Sequence, residues 1–242
     1  IHPTYIQEML MIEFDENEIL AAINQLKSSG GRRYNVDLVR SEFQKPIKLK
    51  KGTWSPITKI RNREVLLLAS GPKANDYKHE IEKYIKLKKP FVIALNTSVS
   101  INKKFIDIFA ACNPLKLIAD ADLYKSLTAP LAVPESLLSN DLRKKFKNLK
   151  LLNFGAGVKE NYFEFRKTGA IMPRLYTLVY ALSIATSGNA SRVLLAGFDG
   201  YGAQSRRTKI VDKLLYLYSS FKDAKPIVAI TPTSYSVSSA ST

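Results

Sequence analysis

EVLLLASGPKAND, residues 64–76, sets the frame for the whole chain. The run from Val65 to Leu68 is apolar without alternation, as expected of a strand covered on both faces. Gly71 and Pro72 then form a tight turn into a helix that Asn75 or Asp76 can cap. The same grammar recurs outward along the chain. Apolar, β-rich runs appear at FVIALN (91–96), LKLIAD (115–120), LKLLNFG (149–155), RVLLAGFD (192–199) and PIVAITP (226–232). Between them lie segments of helical period, with Tyr77, Ile81, Tyr84, Ile85 and Leu87 or Lys88 on one face and Val211, Leu214, Leu215, Leu217 and Tyr218 on another. Strands alternating with helices predict an α/β fold with a doubly wound, mostly parallel, Rossmann-like sheet. Such sheets bind ligands beyond the carboxyl ends of their strands, where the strand order reverses.

The flanks are organised differently. DENEILAAINQLKSSGG predicts an amphipathic helix opened by Asp15 and closed by Gly30 and Gly31, and YNVDLVRSEF a second short helical piece. Residues 1–43 therefore read as a helical appendage and residues 44–61 as a basic linker whose apolar residues could form an edge strand. Residues 62–235 read as the Rossmann-like α/β domain, and 236–242 as a polar, disordered tail. The chain begins with Ile rather than Met and lacks a signal-peptide pattern, so the expectation is a fragment or processed product.

Composition narrows the classes. Hydrophobic residues make up 45% of the 242, enough for a globular core. LYTLVYALSIATSG (175–188) is too short for a span of about 18 residues or more and reads as a buried helix. The single cysteine, Cys112, lies in the apolar IFAACNP and excludes an internal disulfide or a Cys-rich zinc site. A reducing cytoplasm is the expected location. The formal charge is +16, with basic clusters at 45–54 and 143–150. That field attracts polyanions, nucleotides or anionic membrane and glycan surfaces, or it is a solvated face. Nothing resembles a reader of base sequence, so no specific nucleic-acid partner is expected; peripheral contact with an anionic membrane is compatible with the charge, and a homo-oligomer is expected.

The strand ends supply the candidate site. Gly71 and Pro72 stand after the first run and Asn96 after the second; Asp120 and Asp122 follow the third as weak candidates for a divalent metal or ribose, with Asp122 favoured as a helix cap. In KTGAIMPRLYTLVYAL, Thr168 and Gly169 are expected at the mouth of the long buried helix, offering an anion-binding start. Asp199 and Tyr201 follow the fifth run, with Arg206 and Arg207 close behind; the last loop offers Thr231, Thr233 and Ser234. The two histidines, His2 and His79, assemble no Ser-His-Asp order, and GxxxxGK[ST] is absent.

The ordered series GP, N, TGAIM, GFDGY and TPTS resembles the nucleotide-binding fold of bacterial sialyltransferases and of 6-hydroxymethylpterin pyrophosphokinase-like proteins, over about residues 62–235. The resemblance implies a nucleotide such as CMP or ATP, or a nucleotide-sugar, lined by Gly71, Pro72, Asn96, Thr168, Gly169 and Asp199, with Thr233 or Ser234 near a phosphate. Lys73 departs from the serine usual after GP. The insertion carrying the sialyltransferase lid and histidine base is missing, so Asp199 or Tyr201 would have to act in its place. Separately, IHPTYIQEML and ILAAINQLKSSGGRRYN, within residues 1–43, resemble the tail of the pyruvate aldolase and 3-hydroxy-3-methylglutaryl-CoA lyase-like family. This resemblance implies an upstream TIM barrel of the same protein, a carbon–carbon lyase holding the divalent metal that these residues lack. The nucleotide domain would then be a transferase acting in surface-glycan or sugar-acid synthesis, an assembly or substrate-docking module, or a pyrophosphokinase-like enzyme.

Overall fold

The computed structural model describes residues 47–97, 100–113, 117, 120–201 and 205–239. Their strands, in chain order, are β1 (Glu64–Leu68), β2 (Phe91–Leu95), β3 (Ile108–Ala110), β4 (Leu131–Val133), β5 (Leu151–Asn153) and β6 (Gly155–Val158). Then follow β7 (Glu164–Arg166), β8 (Gly169–Met172), β9 (Arg192–Ala196), β10 (Ile227–Ala229) and β11 (Ser238–Ser239). The α-helices are α1 (Ile57–Ile60), α2 (Pro72–Asp76), α3 (Lys78–Lys88), α4 (Ala121–Lys125), α5 (Asn140–Lys145), α6 (Thr177–Ser187) and α7 (Arg206–Ser219).

The main sheet has the order β11-β10-β9-β1-β2-β3-β4-β5, and every neighbouring pair is parallel. The chain builds outward from β1 to β5, then returns to lay β9 on the other side of β1. The strand order therefore reverses at β1. This is the doubly wound, Rossmann-like α/β fold.

Burial on both faces follows directly from the apolar runs. In β1, Val65 and Leu67 join one core while Leu66 and Leu68 join the other, the two-residue period of a pleated strand. Each fully buried valine or leucine contributes about 1.5–3 kcal/mol relative to an exposed one. Ile81 and Ile85 of α3, Tyr124 of α4 and Leu142 of α5 cover one face. The other face is covered by α6 and by Val211, Leu214, Leu215 and Tyr218 of α7.

Helix α6 is buried from Thr177 to Thr186 because a second, small sheet lies over it. That sheet has the order β6-β8-β7, with β6 parallel and β7 antiparallel to β8. TLVYALSIATS is thus apolar all round for a physical reason: it packs against β2 and β3 on one side and β7 and β8 on the other. Several of its polar side chains donate to main-chain carbonyls, whereas the buried Ser187 hydroxyl has no hydrogen-bond partner among the described residues. Tyr180 donates to the Phe154 carbonyl at 2.6 Å, Ser183 to Val179 at 2.8 Å and Thr186 to Leu182 at 2.8 Å.

Several expectations are corrected. The strand beside β2 is Ile108–Ala110, within IFAACNP, rather than 115–120; of that run, Leu117 is helical and most of the rest lies outside the described residues. The long helix starts at Thr177, and TGAIM, expected to open it, contains β8 instead. FGAGV is not a free turn but holds β6, and β4 was not anticipated. Within the basic linker, Ile47 bridges Val158 antiparallel, the edge pairing allowed for that stretch. Ser238–Ser239, in the tail expected to be disordered, pair with β10. Cys112 is fully buried. Among the described residues no helix is long and apolar enough to cross a membrane. The predicted helices of residues 1–43 lie outside the described residues.

Candidate functional site

The reversal at β1 opens a cavity of about 430 Å³ at the carboxyl ends of β1, β2, β3 and β9. Its floor is the junction of two loops. Ala69 donates to the Ala196 carbonyl at 2.9 Å and Gly71 to the Gly197 carbonyl at 3.0 Å, so the β1–β9 pairing continues past the strands. A Cβ at residue 71 would stand 2.4 Å from the Gly197 oxygen and 2.6 Å from Asp199 Oδ1. Only glycine lets these loops meet.

Asp199 has a defined partner. Its Oδ2 accepts from the backbone N–H of Lys73 at 2.7 Å, which caps the start of α2 from across the sheet, whereas Gly71 itself supplies no side-chain cap. Neither Asn75 nor Asp76 caps this helix, because both lie inside it. Asp199 Oδ1 is buried and has no hydrogen-bond partner among the described residues.

The final loop holds the Asp199 loop from behind. Gly197 donates to Thr231 Oγ1 at 3.0 Å, Thr233 donates to the Phe198 carbonyl, and the Asp199 carbonyl accepts from both Ser234 N–H (3.1 Å) and Ser234 Oγ (2.9 Å). Gly200 has φ +96°, and a Cβ there would run into Ser234 Oγ. Thr233 and Ser234 therefore act as braces of the loop and do not line the cavity.

At the end of β2, Asn96 adopts the left-handed conformation with φ +57° and donates its backbone N–H to Ala110 at 2.9 Å. Its side-chain oxygen accepts from Thr177 Oγ1 at 3.1 Å, tying the strand end to the first residue of α6. Helix α6 has no side-chain cap and no acid in its first turn, so its opening N–H groups favour an anion. Tyr176, Thr177 and Leu178 bring that opening into the cavity wall.

The remaining wall is aromatic and cationic. The hydroxyls of Tyr176 and Tyr201 are 3.5 Å apart, and the Arg207 guanidinium lies 5.3 Å from the centre of the Tyr201 ring. Burial raises the Tyr176 phenol far above the ordinary tyrosine range, with Tyr201 adding to the effect, and burial does the same for Tyr235. Both stay neutral near physiological pH and serve as hydrogen-bonding groups rather than bases.

The structure thus gathers Gly71, Pro72, Asn96, Asp199 and Tyr201 around one cavity. Thr168 and Gly169 are elsewhere: Thr168 lies in the turn between β7 and β8, and its carbonyl accepts from Gly52 and Gly155 at 2.9 Å. The place expected for them is taken by Thr177, because the helix begins later. Asp120 and Asp122 belong to the start of α4, outside the cavity. Asp120, not Asp122, holds the N-cap position and makes no side-chain cap bond. Asp122 pairs with Lys125 at 2.7 Å, which holds its carboxyl below the usual range. Among the described residues no group of three or more His, Cys, Asp or Glu side chains is placed to hold a metal ion. Tyr176, Thr177, Asn113 and Tyr235 were not anticipated. Thr177 could have been found as the polar residue that opens the apolar helix; Tyr235 carries no local signal.

No family model matches the chain, and no curated protein matches it in sequence. Among solved structures, the MAf glycosyltransferase from Magnetospirillum magneticum AMB-1 is similar over 81% of this chain, at 10% identity and a TM-score of 0.45. The match covers 36% of that protein's chain. These comparisons give no support to the aldolase-like resemblance of residues 1–43.

Proposed function

We propose that residues 62–235 bind a nucleotide or nucleotide-sugar in the cavity at the β1 reversal, as a glycosyltransferase-like domain. The observation that carries the reading is the convergence of three recognition elements on one cavity of about 430 Å³. Tyrosine rings offer apolar faces to a base. The uncapped start of α6, with Arg207, offers donors and charge to phosphates. The Asp199 carboxylate and Asn96 carboxamide offer groups for ribose or sugar hydroxyls. The volume falls within the usual range for small-molecule sites.

For transfer, Asp199 or Tyr201 would be the group that handles the acceptor's proton, since His79 is exposed on α3, away from the cavity. The expected test is a calorimetric titration of the 242-residue chain with CMP, CDP, UDP, GDP and ATP, with and without Mg²⁺. Saturable binding of at least one supports the reading; no binding of any at millimolar concentration overturns it. The resemblance of residues 1–43 supports the additional proposal that an aldolase-like barrel precedes this domain. Pyruvate-aldolase assays on a protein carrying the upstream sequence would test that link.

A further inference from the structure

The sheet's two ends differ in charge. Helices α3, α4, α5 and α7 each return the chain to the amino end of the next strand, and those returns are basic. Arg61 and Arg63 precede β1, Lys88 and Lys89 precede β2, and Lys103 and Lys104 precede β3; all are exposed. Lys125 stands before β4, Lys145 and Lys147 before β5, and Lys222 before β10, again exposed. Lys125, Lys144, Lys145 and Lys147 also line a shallow cavity of about 320 Å³.

Acidic residues at this end are few and partly engaged. Glu64 pairs with Arg192, Asp107 accepts from the Val92 N–H at 2.7 Å, and Asp122 offsets Lys125; Asp223 is exposed. The helix dipole alone favours cations in a last turn. It does not account for Lys147 and Lys222, which lie beyond the helix ends; Arg63, by contrast, donates to the carbonyls of Lys59, Lys89 and Pro90 and is engaged there. The ligand cavity at the opposite end is lined by one base, Arg207, and one acid, Asp199.

We infer that the amino-end rim of the main sheet is a docking surface for an anionic lipid bilayer. Its breadth matches a surface rather than a small ligand, since eight strands at ~4.8 Å spacing extend on the order of 30 Å. The basic side chains are mostly lysines, whose long apolar stems reach charged headgroups while lying along apolar surface. Among them stand bare apolar groups: Leu87, 72% exposed in the last turn of α3, and Tyr216, 80% exposed in the last turn of α7. Leucine and tyrosine flanked by cations suit the headgroup boundary. A reader of single-stranded nucleic acid would instead need a row of aromatic platforms along a groove. Docked this way, the domain turns its ligand cavity away from the bilayer, toward solution. The inference does not depend on what that cavity binds.

The test is co-sedimentation of the 242-residue chain with vesicles of phosphatidylcholine alone, or with phosphatidylserine at about a third of the lipid. The expected result is binding only to the anionic vesicles, weakened by salt. The triple variant Lys86→Glu/Lys88→Glu/Lys89→Glu, at exposed positions in the last turn of α3 and just after it, lowers that binding about a hundredfold, the cumulative effect of three cations near an anionic surface. Lys209→Glu/Lys213→Glu, on exposed positions of α7 away from the rim, retains at least about a third of it. Circular dichroism melts confirm that both variants fold. Three results would overturn the inference: no binding to anionic vesicles, equal loss in both variants, or displacement from vesicles by single-stranded RNA.

Discussion

Asn96 meets two demands at once, a left-handed backbone and a hydrogen bond from Thr177. Asparagine tolerates φ +57° far better than alanine does. Asn96→Ala should cost about 2 kcal/mol, combining backbone strain with the lost bond, whereas Asn96→Gly should cost about 1 kcal/mol. Urea unfolding of the two variants checks the split; equal losses would refute the backbone part. Asp199 makes a comparable statement about charge. Asp199→Ala removes the cap on Lys73 N–H and should lower stability by about 1 kcal/mol, while Asp199→Asn, still an acceptor, should lose only about a few tenths. At this scale the sequence was informative wherever a residue stands at or shortly after the end of a long strand, as Gly71, Asn96 and Asp199 do. It was uninformative for Tyr235, whose place at the cavity depends on how the last loop folds back over β9.

Among the elements, α6 organises the molecule by filling the space between the two sheets. The Tyr180 hydroxyl fixes it to the Phe154 carbonyl, at the point where the main sheet gives way to the small one. Tyr180→Phe leaves that buried carbonyl unpaired and should destabilise by about 1–3 kcal/mol in a denaturant titration, with the fold retained. The long strands β1, β2 and β9 were legible because unbroken apolar runs of that length, closed by glycine or asparagine, have few other readings. The small sheet was not. Its strands are three or four residues long, and GAGV and GAIM contain too few side chains to show a period. Glycines placed there for close backbone approach look in sequence like turns. The displaced start of α6 has the same cause, since a short strand ending near Met172-Pro173 continues directly into apolar sequence.

For the whole molecule, buried tyrosines set a limit at high pH. Burial raises the phenols of Tyr124, Tyr176, Tyr180, Tyr218 and Tyr235 above the ordinary value near 10. The folded chain keeps protons that the unfolded chain releases near pH 10, so their contribution is complete below that pH and is lost as pH rises past it. Thermal melts should be flat in this respect from about pH 8 to 9 and fall steeply above about pH 10. An unchanged melting temperature at about pH 11 would contradict the burial of these hydroxyls. The doubly wound topology also separates the molecule's two ends, with a mixed, tyrosine-walled cavity at the carboxyl end and a lysine rim at the amino end. The binding proposed for that cavity is measured by calorimetric titration of the wild-type chain and of Arg207→Ala with the tightest-binding nucleoside diphosphate. The expected result is saturable one-to-one binding by the wild type and a loss of about tenfold or more in the variant, with its melting temperature little changed. Equal affinity in both proteins, or no binding by either, would contradict it.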